Sequence, residues 1–516
     1  MKKILFLSIL IVLFASCSKF LEDYPNTQLN DGEFYNTEEG VMMGLYGVMN
    51  TLNNDLMTLY STFIYISDEG ESGGGPGEGG FGLDLFQYDY SNCPNWWGGE
   101  WDLGMYKGIA RCNLLLSKLD GADLKAEIRD RVKAEVTLAR VIFYYYLYVG
   151  YEQFVIIDKV IAPEDMYNVR KSSREECYNF ILNDLDANVI GHLPTTVPAE
   201  EAGRYVNDAA LVMKTRLILF ARDESRYNEA LSDMRSIISS GRYDLYPDYQ
   251  KLWLAEGEFC KESILEFVFT DKANSNNWGG ENTGVAFKIV TWVSGRDISD
   301  PRTADEGGLN GGWGQGTVKR NVYDWYQQGD TRREGTFIDY AIEKQKVIDL
   351  GYGDVFYVAT NQISYDGLGN YKYHARKGYT STTATSYLNY NNNFRFIRYA
   401  DVLLLGAELS ARTNGGTADS EGQAWFDKVR DRAWGYYPNT PPNTLHRKTA
   451  NINSIFDERG LEFAYELHRW PDLMRFDKGA EKLGSKGWTE KFRYMPISQM
   501  DIEESNGALT QNPGWQ

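Results

Sequence analysis

The chain has 516 residues, which is enough for one large domain or for two or three smaller ones. With 24% charged and 43% apolar residues, it is neither a disordered chain nor a polytopic membrane protein. The formal charge of −19 excludes nucleic acid as a main partner, because a negative surface repels phosphate backbones.

The N-terminus has the pattern of a secretory signal. Two lysines precede the apolar run 4–14, which is too short for a membrane-spanning helix of about 20 residues. The small residues Ala15 and Ser16 then lead directly to Cys17, an arrangement that resembles a bacterial lipobox. We therefore expect removal of residues 1–16 and a lipid anchor on Cys17; the alternative is a plain secretory signal with an incidental cysteine.

Apolar residues that recur every three or four positions predict two helical blocks, about 31–240 and 395–505. Asp31 is a candidate N-cap of the first helix. Further helices are predicted at 101–118, 122–151, 174–189, 207–222, 226–240, 399–411, 424–433 and 452–469. The pair 207–222 and 226–240 resembles a tetratricopeptide-type helix pair, because small residues occupy the positions where the helices would cross. The expected fold class is mainly α, with a tetratricopeptide-like helical scaffold.

Between the two blocks, residues 243–393 are rich in Gly, Asn, Tyr, Trp and Thr and contain one predicted strand, 263–269. A shorter insertion at 67–82 is rich in Gly and Glu. Long loops inside a compact domain are usually functional. We therefore expect little β-structure and long irregular insertions on one side of the scaffold.

The motifs of common enzymes are missing from the sequence. The four histidines form no HExxH or other ligand-spaced pair, and there is no GxSxG. Residues 75–80 match GxGxxG, but Glu69, Glu71 and Glu78 surround the motif and a proline occupies its second position, so a flexible loop beside the ligand face explains it better. The sequence therefore predicts no metal and no cofactor. The cysteines after Cys17 are scattered and are interpreted as packing residues, with one or two disulfides left open.

Acidic and basic residues alternate densely in 457–475. At helical spacing, Arg459 would pair with Glu462, Glu466 with Arg469, and Asp472 with Arg475, beyond a turn at Pro471. A catalytic acid needs a raised pKa, whereas neighbouring arginines lower it. The segment is therefore interpreted as a structural ion-pair network.

Four stretches of the chain interleave Trp with Asn, Gly and charged residues, as sugar-binding loops do, since sugar rings stack on indoles while their hydroxyls bind polar side chains. The alternative for each Trp is that it anchors its loop onto the scaffold, and Trp101, which opens a helical stretch, is assigned to the core. The candidate stacking residues are Trp96, Trp97, Trp278, Trp292 and Trp313, and the candidate hydroxyl partners are Asn95, Asp68, Asn277, Arg296 and Asn310.

Several segments from the start to the end of the chain have a distinctive residue pattern: CSKFLEDYP at 17–25, FRFIRYADVLLLGAE at 394–408, VRDRA at 429–433, the ion-pair segment 458–475, and the closing MPIS at 495–498 with QNPGW at 511–515. Together they resemble the SusD/RagB family of outer-membrane lipoproteins of the Bacteroidetes. Their order and spacing agree with the family over nearly the whole mature chain, which is interpreted as one SusD-like domain, 17–516.

The resemblance implies a tetratricopeptide-like scaffold, surface exposure on a lipid anchor at the outer membrane, and a partnership with a SusC-like TonB-dependent transporter. It also implies capture of a glycan and no enzymatic activity. Because the family's ligand-contacting loops vary, no individual contact residue is carried over. The alternatives are a peptide-capturing member of the same scaffold and a lipid-anchored glycosidase, which would need two convergent carboxylates.

Overall fold

The computed structural model describes residues 34–78, 84–89, 97–162, 164–165, 169–271, 286–380, 388–438 and 444–515, with the backbone alone at 97–103. Helices dominate these residues and three two-stranded antiparallel ladders accompany them, so the expected mainly α class is confirmed. In chain order the first block has α1 (Glu38–Ile66), β1 (Gly70–Glu71), α2 (Trp97–Leu119), α3 (Ala126–Tyr151), α4 (Arg174–Asp184), α5 (Asn207–Ala221) and α6 (Tyr227–Ser239).

The loop-rich middle of the chain contains only short elements. They are β2 (Ser263–Phe267), α7 (Ile289–Val293), β3 (Thr317–Val318), α8 (Arg320–Tyr323), α9 (Arg332–Thr336), β4 (Phe337–Asp339), α10 (Tyr340–Asp349), β5 (Leu368–Asn370) and β6 (Phe394–Arg398). The second helical block has α11 (Tyr399–Thr413), α12 (Ser420–Ala433), α13 (Ile452–Glu462), α14 (Arg469–Arg475), α15 (Gly479–Leu483) and α16 (Gln499–Glu504).

The helices pack largely on their neighbours in the chain, as in a tetratricopeptide-like scaffold. In the first block α1 packs on α2, α2 on α3, and α5 on α6; α11 then packs against both α6 and α12, which joins the two blocks. Gly108 of α2 permits the closest approach, because a Cβ at this position would overlap the Phe143 ring of α3.

Most predicted helix bounds agree with the structure within a few residues. The first helix begins at Glu38, where the Thr37 side chain accepts a hydrogen bond from the Gly40 amide at 3.1 Å. The proposed cap Asp31 lies outside the described residues. The predicted helix 452–469 was too long, because α13 ends at Glu462. Pro471, at which the sequence predicted a turn, lies in the first turn of α14, where the missing N–H of a proline is tolerated.

Many of the 36 tyrosines of the chain belong to the core. Five of them lie on α3 and are buried: Tyr144, Tyr145, Tyr146, Tyr148 and Tyr151. Cys112 and Cys177 are buried free thiols, Cys260 is a half-buried free thiol, and Cys93 lies outside the described residues. The packing role predicted for the cysteines is thus confirmed at Cys112 and Cys177.

The ion-pair network between 457 and 475 exists, but most of its pairs join distant parts of the chain. Of the three predicted pairs the structure has Asp472 with Arg475 at 2.8 Å. Glu462 instead binds Arg332, Arg398 and Arg432. Burial alone would raise the pKa of Glu462, but these three guanidinium groups outweigh burial and lower it to about 2. The carboxylate is therefore charged and structural, as the sequence predicted.

Candidate functional site

Two segments that are far apart in sequence form one face of the loop-rich region: 67–78, which follows α1, and 292–317, which leads into β3. β1 and β3 pair with Gly70 opposite Val318 and Glu71 opposite Thr317. Beyond this ladder the Gly74 amide donates to the Gly314 carbonyl at 2.7 Å, and the Ile363 amide donates to the Gly74 carbonyl at 2.9 Å. Backbone hydrogen bonds therefore hold 67–78 in a fixed position against 292–317.

This close approach depends on glycine. A Cβ at Gly73 would overlap the carbonyl oxygen of Gly314, which is a rigid backbone atom. Gly314 itself has φ +65°, a conformation that glycine adopts without strain. The glycines of 73–80, which at first suggest a phosphate-binding loop, thus include residues required for packing one loop onto another.

Trp313 belongs to segment 292–317, is half-buried, and packs partly against the hydrophobic core. The backbone on both sides of it is fixed: the Gly312, Trp313, Gly314 and Gln315 amides donate to the carbonyls of Gly295, Thr291, Ser294 and Trp292 at 2.8–2.9 Å. Four consecutive hydrogen bonds leave this loop little freedom to rearrange. A partly exposed indole on such a rigid loop is suited to stacking on a flat apolar ligand surface.

Arg296 and Glu78 form a two-point ion pair across the two segments. The Arg296 Nη1 and Nη2 atoms lie 2.7 and 3.0 Å from the two Glu78 carboxylate oxygens, and Nη1 also lies 3.5 Å from the Trp313 carbonyl. The hydrogen bonds from Arg296, then that from the Gly75 amide, lower the pKa of Glu78. Arg296 therefore lies next to the Trp313 backbone, and it is engaged by a carboxylate that the site prediction left out.

Trp292 does not fit the predicted stacking role, and we correct that assignment. Its side chain is only 6% exposed and makes edge contacts with the Tyr60 and Tyr65 rings, at centroid distances of 6.1 and 5.4 Å. A Cβ at Gly316 would overlap its ring. Trp292 therefore anchors the loop onto the scaffold, which was the alternative considered for each Trp.

Asp68 is also placed differently from the prediction. Its two carboxylate oxygens accept hydrogen bonds from Arg469 at 2.7 and 2.8 Å. It lines a separate cleft together with Trp325. Asn310 is half-buried, and its side chain bonds the hydroxyl of Tyr390, whose pKa burial raises to about 12. Asp68 is thus removed from the face around Trp313, and the Asn310 amide already has a partner.

The remaining predicted site residues are not described by the structure. Asn95, Trp96, Asn277, Trp278 and the proposed lipidation site Cys17 lie outside the described residues, and Trp97 begins α2 without a described side chain. Two residues that the sequence reasoning missed are Glu78 and Trp325. The only sequence feature that could have indicated Glu78 is its place as an acidic residue in a glycine-rich loop. Trp325 lies in YDWY, without the neighbouring Asn and Gly residues by which the other tryptophans were chosen.

Two further clefts, wider than the one that Asp68 lines, lie elsewhere, beside β2. They measure about 910 and 990 Å³ with their open mouths included and share Ala202, Gly203, Arg204 and Glu266. In the described part of the chain, no group of three or more His, Cys, Asp or Glu side chains is arranged to hold a metal ion. None of the helices in that part is long and apolar enough to cross a membrane.

Similarity to known proteins covers nearly all of this chain. The model of the SusD family matches residues 261–489. The SusD-like protein P25 of Formosa agariphila is 22% identical over 478 residues, which are 89% of this chain and 87% of that protein.

Solved structures are similar over the same extent. The surface glycan-binding protein A of Bacteroides fluxus superposes with a TM-score of 0.78 and 26% identity, over 92% of this chain and 99% of that one. The surface glycan-binding protein A of Bacteroides thetaiotaomicron in complex with laminarihexaose gives 0.76 and 25%, also over 92% and 99%. The similarity therefore includes both helical blocks and the loop-rich region between them.

Proposed function

The chain belongs to the SusD/RagB family, and from that premise we propose that it binds an oligo- or polysaccharide at the cell surface and delivers it to a SusC-like TonB-dependent transporter. The observation that carries the proposal is that backbone hydrogen bonds hold the Trp313 loop rigid where segment 292–317 meets segment 67–78. A relative of similar fold, the surface glycan-binding protein A of Bacteroides thetaiotaomicron, has been solved with laminarihexaose. The ligand of this protein is accordingly a glycan.

In this proposal Trp313 supplies the stacking surface. Arg296 and Glu78 flank it and have exposed side-chain fractions of 28% and 46%, so both can bind hydroxyl groups without breaking their own pair. Asn310 stays a prediction as a polar partner, through the amide atom that the Tyr390 hydroxyl does not engage. Trp96, Trp97, Asn95, Trp278 and Asn277 stay predictions for the same ligand, on loops whose side chains the structure does not describe.

The carboxylate beside Trp313, Glu78, does not have the electrostatics of a glycosidase acid. A glycosidase needs a carboxyl group with a raised pKa to protonate the leaving oxygen. The pKa of Glu78 is lowered, because Arg296 stabilises its charged form. We therefore propose binding without catalysis, with membrane attachment through a lipid on Cys17.

The proposal is tested with the protein that lacks residues 1–17. Its mobility is measured by native electrophoresis in gels that contain laminarin, starch, xylan, mannan or pectin, and sugar release is assayed in parallel. We expect one glycan to retard the protein without release of reducing ends, and Trp313→Ala to weaken the retardation strongly. Release of sugar would contradict the non-enzymatic assignment. Failure of every glycan, together with binding of peptides, would favour the peptide-capturing alternative.

A further inference from the structure

A second cleft lies apart from Trp313, between α13, the turn after α8 and the start of segment 67–78. Its volume is about 650 Å³ with its open mouth included, which is in the range of small-ligand sites. Its walls include Asp68, Trp325, Lys448, Asp457, Gly460 and Arg469. Asp68 is the only one of these residues that belongs to the two segments around Trp313.

Trp325 is held in place by a buried cation. The Arg469 guanidinium lies 4.8 Å from the Trp325 ring centroid and is only 6% exposed. Asp68 fixes that guanidinium through both carboxylate oxygens, at 2.7 and 2.8 Å. Gly460 leaves the room for it, because a Cβ there would lie 2.6 Å from Arg469 Nη1. The half-buried indole is thus supported from one side, while part of it lines the open cleft.

The cleft also contains two charged side chains that could form hydrogen bonds with a ligand. Lys448 and Asp457 are exposed, and neither side chain has an ion-pair partner among the residues that the structure describes. Arg469 pairs with Asp68, and Lys482 lies 3.1 Å from Glu481, a carboxylate that also binds Lys478 at 2.7 Å. The cleft therefore presents charges of both signs, and neither sign is strong enough to select an ionic ligand.

A supported indole beside hydrogen-bonding groups of balanced charge suits a ligand that has both an apolar face and hydroxyl groups. We propose that this cleft is a second carbohydrate-binding site, in which one or two residues of an uncharged glycan stack on Trp325 while Lys448 and Asp457 bind their hydroxyls. The inference rests on the proposed function for the ligand class, and it adds a site that is separate from the face around Trp313. A long polysaccharide that engages both sites would be retained more strongly than a short oligosaccharide, because binding at one site raises the effective concentration at the other.

The test compares four proteins that lack residues 1–17: wild type, Trp325→Ala, Trp313→Ala and the double variant Lys448→Ala/Asp457→Ala. Calorimetry with laminarihexaose, cellohexaose and xylohexaose gives the number of sites for each ligand, and gel retardation gives retention by the corresponding polysaccharide. We expect two sites in the wild type, one in Trp325→Ala and one in Trp313→Ala. We also expect retention by the polymer to fall roughly tenfold or more in Trp325→Ala.

The double variant guards against a folding artefact, because it alters two exposed side chains and leaves Trp325 in place. It should keep the wild-type melting temperature and lose affinity at the second site only. A single site in the wild type, or unchanged stoichiometry and retention in both Trp325→Ala and the double variant, would overturn the second site. If Trp313→Ala still abolishes one binding event in that case, the proposed function stands. If the wild type binds none of the hexasaccharides or polymers, both proposals fail.

Discussion

Arg296 and Glu78 are 218 positions apart in the chain, yet two hydrogen bonds of 2.7 and 3.0 Å join their charged groups across the face that presents Trp313. Both side chains are partly exposed, so water and salt screen the pair. Its contribution to folding is therefore small. We expect its contribution to the proposed binding to be positional, because it fixes the end of segment 67–78 beside the Trp313 loop.

Glu78→Gln tests this positional role. We expect the free energy of unfolding to change by less than about 1 kcal/mol, and glycan affinity to fall by up to about fivefold, since an exposed ion pair contributes at most about 1 kcal/mol. The affinity of the wild type should also weaken with added salt more than that of the variant. Calorimetry at low and high salt checks both points, with Glu504→Gln as a control at an exposed carboxylate away from the face. Equal affinities in Glu78→Gln and the wild type would refute the role.

The two tryptophans of segment 292–317 should respond differently to truncation. Trp292→Ala removes a buried ring and should lower the free energy of unfolding by about 3–5 kcal/mol. Trp313→Ala should change stability much less and should cost on the order of 2 kcal/mol of binding energy if the indole is a hot spot. Urea unfolding and calorimetry of both variants separate these effects. A Trp313→Ala variant that unfolds as easily as Trp292→Ala and still binds would mean that Trp313 is a loop anchor.

Gly73→Ala tests whether the two segments must touch. The added methyl group would overlap the Gly314 carbonyl oxygen, which cannot move without disturbing the Trp313 loop. We expect a loss of about 1–3 kcal/mol in stability from overpacking, together with weaker glycan binding. Gly47→Ala is the matched control, because a Cβ there meets nothing within 4 Å inside α1 and should stabilise the helix by about 0.5–1 kcal/mol. If Gly73→Ala behaves like Gly47→Ala, the predicted close contact is wrong.

Glu69 should make stability depend on pH. Burial raises the pKa of its carboxyl to about 8, with a smaller rise from Asp68 that Arg469 and Lys372 oppose. The folded protein therefore binds a proton at this group that the unfolded chain releases above about pH 4.5. By linkage, the stability from this group is fully present below about pH 4.5 and is lost as the pH rises to about 8.

Glu69→Gln keeps the shape of the side chain and removes the titration. Relative to this variant, the wild type should lose on the order of a few kcal/mol of unfolding free energy between pH 5 and pH 8, because each unit of pKa shift corresponds to about 1.4 kcal/mol. Urea unfolding at pH 5, 6.5 and 8 measures the difference. Parallel pH profiles for the two proteins would show that Glu69 is charged in the folded state.

The sequence by itself determined the helical scaffold, most helix bounds and the structural nature of the 457–475 network. Those features follow from spacing within one helix or from residue type, which are local properties of the chain. It also indicated Trp313 and Arg296 as candidate ligand-binding residues, because they lie in a loop whose composition differs from that of the scaffold. Only the tertiary structure decided that Trp292 is buried, that Asp68 binds Arg469 beside Trp325, and that Glu78 reaches Arg296. Each of these outcomes depends on which distant segments the folded chain brings together, and no spacing along the sequence encodes that.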